Sequence, residues 1–352
     1  MNTIKIINLK TINFKAQLTI SLSLLLWFYA VSVEAGFSNN NPSGNYSQRT
    51  EVKSFINEMV DQHGFDRAYL EKKFATAKRL DNVLESIAKP AEKTLTWKQY
   101  RPIFVTSNRA NKGKKFIKQY GDVLKRAEKK YGVPVEIIAA IIGVESYYGR
   151  HTGKYMIFDS LTTLGFDYPP RSRFFKSELK QFLLLSKEEN IDIDEMTGSY
   201  AGAMGMPQFI SSSYRHYAVD FDGDGKRDLW NSIPDVIGSV ANYFSEHGWQ
   251  KGKVITFPVS LKNTAMVRDK DTLKPYATLK QFKKQGVTIR SDSRVKQSEL
   301  SDDQKASLFK FKGKYGDEYW LGLKNFYVIT RYNHSKLYAM AVFQLSEKLK
   351  EK

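Results

Sequence analysis

Three stretches of this sequence carry side chains that could do chemistry. The first holds Glu145, in Gly143-Val144-Glu145-Ser146-Tyr147-Tyr148-Gly149-Arg150. It closes a run in which Val135, Ile137, Ile138, Ala139, Ala140, Ile141, Ile142 and Val144 leave almost no polar face. The spacing predicts a helix from about Pro134 to Tyr148, and a helix apolar all round is buried all round. Ile138, Ile141 and Ile142 fall on the face of Glu145. Burial strips a carboxylate of water and favours its protonated form. A carboxylic acid that keeps its proton near neutral pH is what a general acid requires. The plainer alternative is a glutamate paired with an arginine such as Arg150.

The second stretch, Gly198 to Phe209, reads GSYAGAMGMPQF. Its glycines and alanines permit a close-packed turn that brings backbone N–H and C=O groups near a ligand. Gln208 adds a donor and an acceptor suited to a sugar amide or hydroxyl. Small residues in such a segment also serve simple helix–helix packing, with no ligand.

The third stretch is Asp220-Phe221-Asp222-Gly223-Asp224-Gly225-Lys226, which follows the D-x-D-x-D-G opening of an EF-hand calcium loop. Asp220, Asp222 and Asp224 supply alternating hard oxygens, Gly225 allows the sharp turn, and Lys226 can offer its carbonyl. Position 12 of the loop calls for a bidentate glutamate, and Asn231 stands there. The expectation is a lengthened loop closed by Asp235, which begins the next helix. The alternative is an acidic turn without metal.

Other chemistries are excluded by what is missing. The chain has no cysteine, hence no disulfide framework, no cysteine nucleophile and no lipid attached through a cysteine. Its histidines at 63, 151, 216, 247 and 334 are scattered and form no H-E-x-x-H. There is no G-x-S-x-G, no P-loop and no intact G-x-G-x-x-G.

These residues must be held by a chain of 352 residues, enough for two or three domains. The net charge of +18 favours a polyanionic partner, but the basic residues are spread along the chain and form no nucleic-acid motif. Lys5, Lys10 and Lys15 precede an apolar run from about Leu18 to Val33 that ends at Val33-Glu34-Ala35. That is the composition of a secretory signal peptide over 1–35, with a membrane anchor as the alternative. Residues 36–50 read as a polar linker and 51–130 as a helical N-terminal domain. A core with the calcium loop spans 131–250. It carries helices near Phe174 to Ser186, Ser211 to Ala218 and Asp235 to His247. A small mixed β domain follows at 251–325, with a strand at Val254 to Val259 and strand-like patches from Lys310 to Val328. The segment 326–352 returns as a helix from about Tyr338 to Leu349. The class is α+β, predominantly helical.

Taken in order, YGVPVEIIAAIIGVESYYGR (131–150), LTTLGFDYPPR (161–171), GSYAGAMGMPQFISSSYRHYAVDFDGDGKRDLW (198–230), IGSVANYFSEHGW (237–249) and ITRYNHSKLYAMAV (329–342) resemble the lytic murein transglycosylase B family. The resemblance implies a lysozyme-like catalytic core. It also implies cleavage, without water, of the β-1,4 bond between N-acetylmuramic acid and N-acetylglucosamine in peptidoglycan, leaving a 1,6-anhydromuramyl end. It makes Glu145 the single acid–base group and matches Ser199, Tyr200 and Gln208 to a saccharide-binding segment. Tyr100, Arg171, Tyr243, Tyr332 and Asn333 match further groove positions. A structural calcium ion would sit on Asp220, Asp222, Asp224, Lys226 and Asp235. No organic cofactor is implied, and the partners are peptidoglycan strands and other cell-wall enzymes, not nucleic acid. With no cysteine for a lipid anchor, the implied form is exported, periplasmic and soluble. A lone acid fits a reaction completed by the substrate's own groups, whereas ordinary glycosidases need two carboxylates. A muramidase that delivers water, or a calcium-dependent wall-binding protein without catalysis, are the alternatives.

Overall fold

A computed structural model describes residues 45–88, 95–263, 267 and 272–351. The export segment expected at 1–35 and the linker residues before 45 lie outside the described residues. The chain is laid down mainly as helices: α1 (Thr50–His63), α2 (Arg67–Thr76), α3 (Asp81–Ala88), α4 (Trp97–Phe104), α5 (Ser107–Gln119), α6 (Gly121–Tyr131) and α7 (Val135–Ser146). After a two-residue strand, β1 (Tyr155–Met156), come α8 (Ile157–Asp167) and α9 (Ser172–Glu188). Strand β2 (Thr197–Gly198), α10 (Ser211–Tyr217) and α11 (Ile233–Glu246) complete this part.

Helix α7 is the axis of the fold. Every residue from Ile137 to Ser146 is buried, as its all-round apolar pattern requires. Each of the buried isoleucines 137, 138, 141 and 142 contributes about 1.5–3 kcal/mol by leaving water. Around α7 pack α5, α6, α11 and the C-terminal helix α14 (Lys336–Lys350). Pro134 stands one residue earlier than the sequence suggested. It is the N-cap with extended ψ of 143°, and the helix starts at Val135.

Beyond α11 the chain forms an antiparallel sheet of order β4-β6-β7-β3-β5. The members are β3 (Thr256–Leu261), β4 (Ala277–Thr278), β5 (Val287–Ile289), β6 (Lys305–Gly313) and β7 (Gly316–Gly322), with α12 (Leu279–Lys284) on it. Alternation along β6 divides its side chains between two cores. Leu308 joins Phe257, Val259, Leu279, Phe282 and Leu321 in a small separate cluster. Phe309 and Phe311 face the large core, where the ring of Phe311 lies 5.6 Å from that of Trp97. The strand-like reading of 310–328 extends too far: Lys324–Tyr332 is a helix, α13. Its buried Phe326, Val328, Ile329 and Tyr332 follow the helical period.

Candidate active site

Glu145 is fully buried, one residue before the end of α7. Helix α14 supplies its partner: the Tyr338 phenol donates to Glu145 Oε1 at 2.5 Å. Tyr338 is placed by the helix start itself, because Ser335 is the N-cap and its Oγ accepts the Tyr338 N–H at 3.3 Å. Burial first, and the charge of Glu145 second, push the Tyr338 phenol well above its ordinary range. The same two causes act on Tyr332. Both phenols therefore keep their protons and act as donors. Tyr338 is the residue that sequence reasoning missed. The signal was available, since it is the polar-tipped member of the otherwise apolar run Leu337-Tyr338-Ala339-Met340-Ala341-Val342.

Immediately after Glu145 and Ser146 the backbone turns sharply. Tyr147, Tyr148 and Gly149 have φ of 53°, 60° and 81°. For a residue with a side chain this region costs on the order of 1–3 kcal/mol, so neighbouring packing must hold it. The Tyr148 ring fills a slot between α5 and α7 that exists because Gly113 and Gly143 have no side chain. A Cβ there would lie 2.1 and 2.5 Å from the Tyr148 hydroxyl. The Ser146 hydroxyl accepts the Gly149 N–H at 3.0 Å, and His151 N–H donates to the Ser146 carbonyl at 2.9 Å.

The reversed chain is pinned onto the glycine-rich stretch. β1 pairs with β2, Tyr155 opposite Gly198, and Gly153, at φ 102°, is so close that a Cβ would fall 1.9 Å from the Gly198 carbonyl carbon. Gln208, itself left-handed at φ 53°, donates through Nε2 to the carbonyls of Thr152 (3.0 Å) and Gly205 (2.8 Å). Its donor, expected to serve a sugar, is therefore engaged with the backbone, and the side chain is a clamp between the two segments. Ser199 Oγ accepts the N–H groups of Ala201 and Ala203 at 3.3 and 3.0 Å, bonds that leave its own hydroxyl proton unused. Tyr200 is buried in the large core.

The remaining expected groove residues fall into two groups. Tyr100, Tyr243 and Tyr332 are only 1, 2 and 2 % exposed. Matched by resemblance to groove positions, they offer a sugar little ring surface and form an aromatic support for the site. Tyr332 lies parallel to Tyr338 at 6.4 Å and donates to the Pro207 carbonyl at 2.6 Å. Tyr243 donates to the Arg331 carbonyl at 2.6 Å and stacks on His247 at 4.1 Å. Tyr100 packs on Phe104 at 4.9 Å, near enough to the Tyr338 phenol to influence its titration. The second group is polar with capacity to spare. Asn333 Nδ2 and both terminal nitrogens of Arg171 are buried with no hydrogen-bond partner among the described residues. The Arg171 guanidinium lies 4.1 Å over Phe174.

A second buried carboxylate, Glu178 on α9, was also missed. Its spacing from Phe175, Leu179 and Phe182 puts it on the apolar face. Burial raises its pKa. Its Oε2 accepts the Ser212 N–H at 2.9 Å, so it caps the start of α10 rather than addressing Glu145.

In the acidic loop, carboxylate oxygens of Asp220, Asp222 and Asp235 lie within 4.8 Å of one another. Asp235 is buried in the first turn of α11 and accepts the N–H groups of Phe221 (2.6 Å) and Asp228 (2.8 Å). Gly223 and Gly225 are both left-handed with open space where a Cβ would sit. Asp224 is not of this trio: its carboxylate accepts the Lys226 N–H at 2.9 Å. Asn231, at the position of the expected glutamate, donates through Nδ2 to Asp228 at 3.0 Å. Hard oxygens, a glycine turn and three crowded carboxylates suit calcium.

The family model for the transglycosylase SLT domain matches residues 47–347. The chain is 43% identical over 313 residues to the membrane-bound lytic murein transglycosylase B of Escherichia coli K12, covering 86% of this chain and 84% of that protein. The catenated lytic transglycosylase SltB1 of Pseudomonas aeruginosa superposes with a TM-score of 0.80 at 45% identity, over 86% of this chain and 98% of that one. The Escherichia coli lytic transglycosylase Slt35 in complex with calcium does so with a TM-score of 0.77 at 43% identity, over 88% and 93%.

Proposed function

The chain belongs to the lytic murein transglycosylase B family and is a peptidoglycan lytic transglycosylase, and from that premise we propose that Glu145 is its single acid–base group. The observation that carries this is the fully buried Glu145 held by Tyr338 at 2.5 Å. Because the phenol donates to Oε1, the acid form of Glu145 carries its proton on Oε2. That proton goes to the glycosidic oxygen as the C1–O4 bond breaks. The muramyl N-acetyl group stabilises C1, and ionised Glu145 then takes the proton from the C6 hydroxyl as its oxygen bonds C1. The two influences on Glu145 suit the two halves of the reaction. Burial disfavours the charged form and keeps the acid available, while the Tyr338 hydrogen bond strengthens as charge develops.

Ser199, Tyr200, Gln208, Arg171 and Asn333 belong in this reading to the saccharide groove. Ser199, Arg171 and Asn333 have donors to spare for a sugar, and Gln208 fixes the turn. Calcium bound by Asp220, Asp222 and Asp235, with Asp224 and the Lys226 carbonyl from the same loop, would neutralise the carboxylates' mutual repulsion and brace the joint between α10 and α11. The calcium complex of Slt35 supports this. The basic and apolar composition of residues 1–35 supports export with cleavage after Ala35 into the periplasm. Among the described residues no helix is long and apolar enough to cross a membrane.

The test is mass spectrometry of muropeptides released from purified sacculi. Wild type should release 1,6-anhydromuramyl ends. Glu145→Gln should keep the fold and lose about 10²–10⁴-fold in rate or more. Reducing ends from wild type, or near-normal turnover by the mutant, would overturn the proposal.

A further inference from the structure

The hairpin of β6 and β7 ends in a side chain that the fold itself does not use. Its turn is Lys314-Tyr315, between the paired residues Gly313 and Gly316. Tyr315 is 92 % exposed, and the one other exposed large apolar residue among the described ones, Tyr69, is 39 % exposed. The Tyr315 ring meets only the ammonium of the adjacent Lys314, 5.0 Å from its centroid. A tight hairpin turn wants a residue at positive φ, and Gly316 provides it at 126°. Nothing in that geometry asks for a tyrosine at 315. A single exposed ring needs no explanation by itself. What marks this one is where its hairpin is fastened.

Below the tip the hairpin is braced on the helices of the reaction centre. The buried Phe311 ring lies 5.6 Å from that of Trp97, the first residue of α4, and 5.4 Å from the ammonium of Lys336, the first residue of α14. Lys336 Nζ also donates to the Lys310 carbonyl at 2.7 Å. One turn beyond Trp97, α4 carries Tyr100, and just beyond Lys336, α14 carries Tyr338, whose phenol donates to Glu145. The two helix starts that hold the hairpin therefore also lead to the carboxylate. Between Phe311 and Tyr315 the chain can extend at most about 14 Å. The tip is thus a short, fixed projection from the framework of the site.

The chemistry of the tip suits a saccharide. A sugar ring has C–H faces and a rim of hydroxyls, and an exposed phenol offers an apolar face with a polar end. Lys312 and Lys314 flank it, both exposed. Lys310 is committed to Asp317 at 2.7 Å, whereas Lys312 and Lys314 have no ion-pair partner among the described residues. In peptidoglycan the peptide stems bring carboxylates alongside the sugars. An anionic membrane fits less well. Tyr315 is the one apolar side chain from Lys312 to Glu318, and Asp317 and Glu318 follow it with negative charge.

We propose that Tyr315, with Lys312 and Lys314, forms an outlying contact for peptidoglycan, in which a sugar face stacks on the ring and a stem carboxylate meets a lysine. The proposal rests on the reading of Glu145 as the glycan-cleaving group and adds a second place, on the small β domain, at which the polymer is held.

The experiment measures binding separately from cleavage. In a Glu145→Gln background, apparent Kd is determined by co-sedimentation with purified sacculi and, in parallel, with vesicles of phosphatidylglycerol and phosphatidylethanolamine. Tyr315→Ala should weaken binding to sacculi roughly three- to tenfold, the scale of one aromatic contact, and Tyr315→Trp should retain it. Lys312→Gln combined with Lys314→Gln should weaken it about two- to fivefold at low salt, the scale of exposed charge contacts. Melting curves check that each variant is folded. Binding to sacculi by Tyr315→Ala within a factor of two of the parent, or equal losses in Tyr315→Ala and Tyr315→Trp, overturns the contact. Loss of vesicle binding by Tyr315→Ala with sacculus binding intact assigns the tip to a lipid surface and overturns it as well. Failure of the Glu145 reading shows elsewhere, as anhydro ends released from the sacculi by the Glu145→Gln protein.

Discussion

Tyr338→Phe isolates one hydrogen bond in the reaction centre. The substitution keeps the ring, its parallel packing on Tyr332 and its place in α14, and removes only the hydroxyl that donates to Glu145 Oε1 at 2.5 Å. A hydrogen bond to a charged group is worth about 1.5–3 kcal/mol. If Glu145 is the acid–base group proposed above, it passes from acid to carboxylate as the glycosidic bond breaks, so most of that energy is realised in the transition state and appears in kcat. At 1.36 kcal/mol per decade, kcat should fall roughly 10- to 150-fold. The pH profile should move as well. The phenol favours the ionised form of Glu145, so its loss raises the pKa of that group. Activity, which needs the acid form, then persists to higher pH before it declines. The assay is the initial rate of anhydro-end release from sacculi across a pH series, with melting curves to confirm the fold. A kcat within twofold of wild type, with an unmoved alkaline limb, would refute the role given to Tyr338.

Chelation should lower the melting temperature of wild type. Calcium bound at a hundredfold excess over its Kd would stabilise the folded state by about 2.7 kcal/mol. Asp235→Ala should abolish the calcium-dependent shift, because Asp235 belongs to the carboxylate trio. His151 and His247 both titrate at about 4 in the fold. The unfolded chain binds these protons near 6.5, so proton uptake between those values favours unfolding. Stability should therefore be full above about pH 6.5 and fall towards pH 4. Melting midpoints at the two ends should differ less in His247→Gln than in wild type. Glu178→Gln should cost about 1 kcal/mol of stability, as a weakened cap on α10, and leave the anhydro product unchanged. A change of product would make Glu178 part of the chemistry.

The features legible in the sequence are those enforced by local pattern. The unbroken apolar run of α7 requires burial whatever surrounds it, and Glu145 goes with it. The glycines of the acidic loop sit at left-handed φ, as its motif demands. What stayed hidden depends on segments distant in sequence. Tyr338 reaches Glu145 across 193 positions, through the packing of α14 on α7. Its hydroxyl in an otherwise apolar run is the one local sign, and that run does not say which residue the hydroxyl meets. The aromatic support misled for the same reason. Tyr100, Tyr243 and Tyr332 have the composition of a sugar platform, but all three are buried against neighbouring rings, and the hydroxyls of Tyr243 and Tyr332 are taken up by backbone carbonyls. Only the assembled core decides which side of a tyrosine faces the ligand. Gln208 shows the same division at a single residue: its position in the turn was readable, yet its amide is engaged by a carbonyl at Thr152, 56 residues away. The candidate site is thus a product of tertiary closure, in which the left-handed turn after Glu145 folds the chain back onto the Gly198–Phe209 stretch. Substitutions that relax that turn, such as filling the Tyr148 slot at Gly113, should therefore damage the site without touching a residue that meets the substrate.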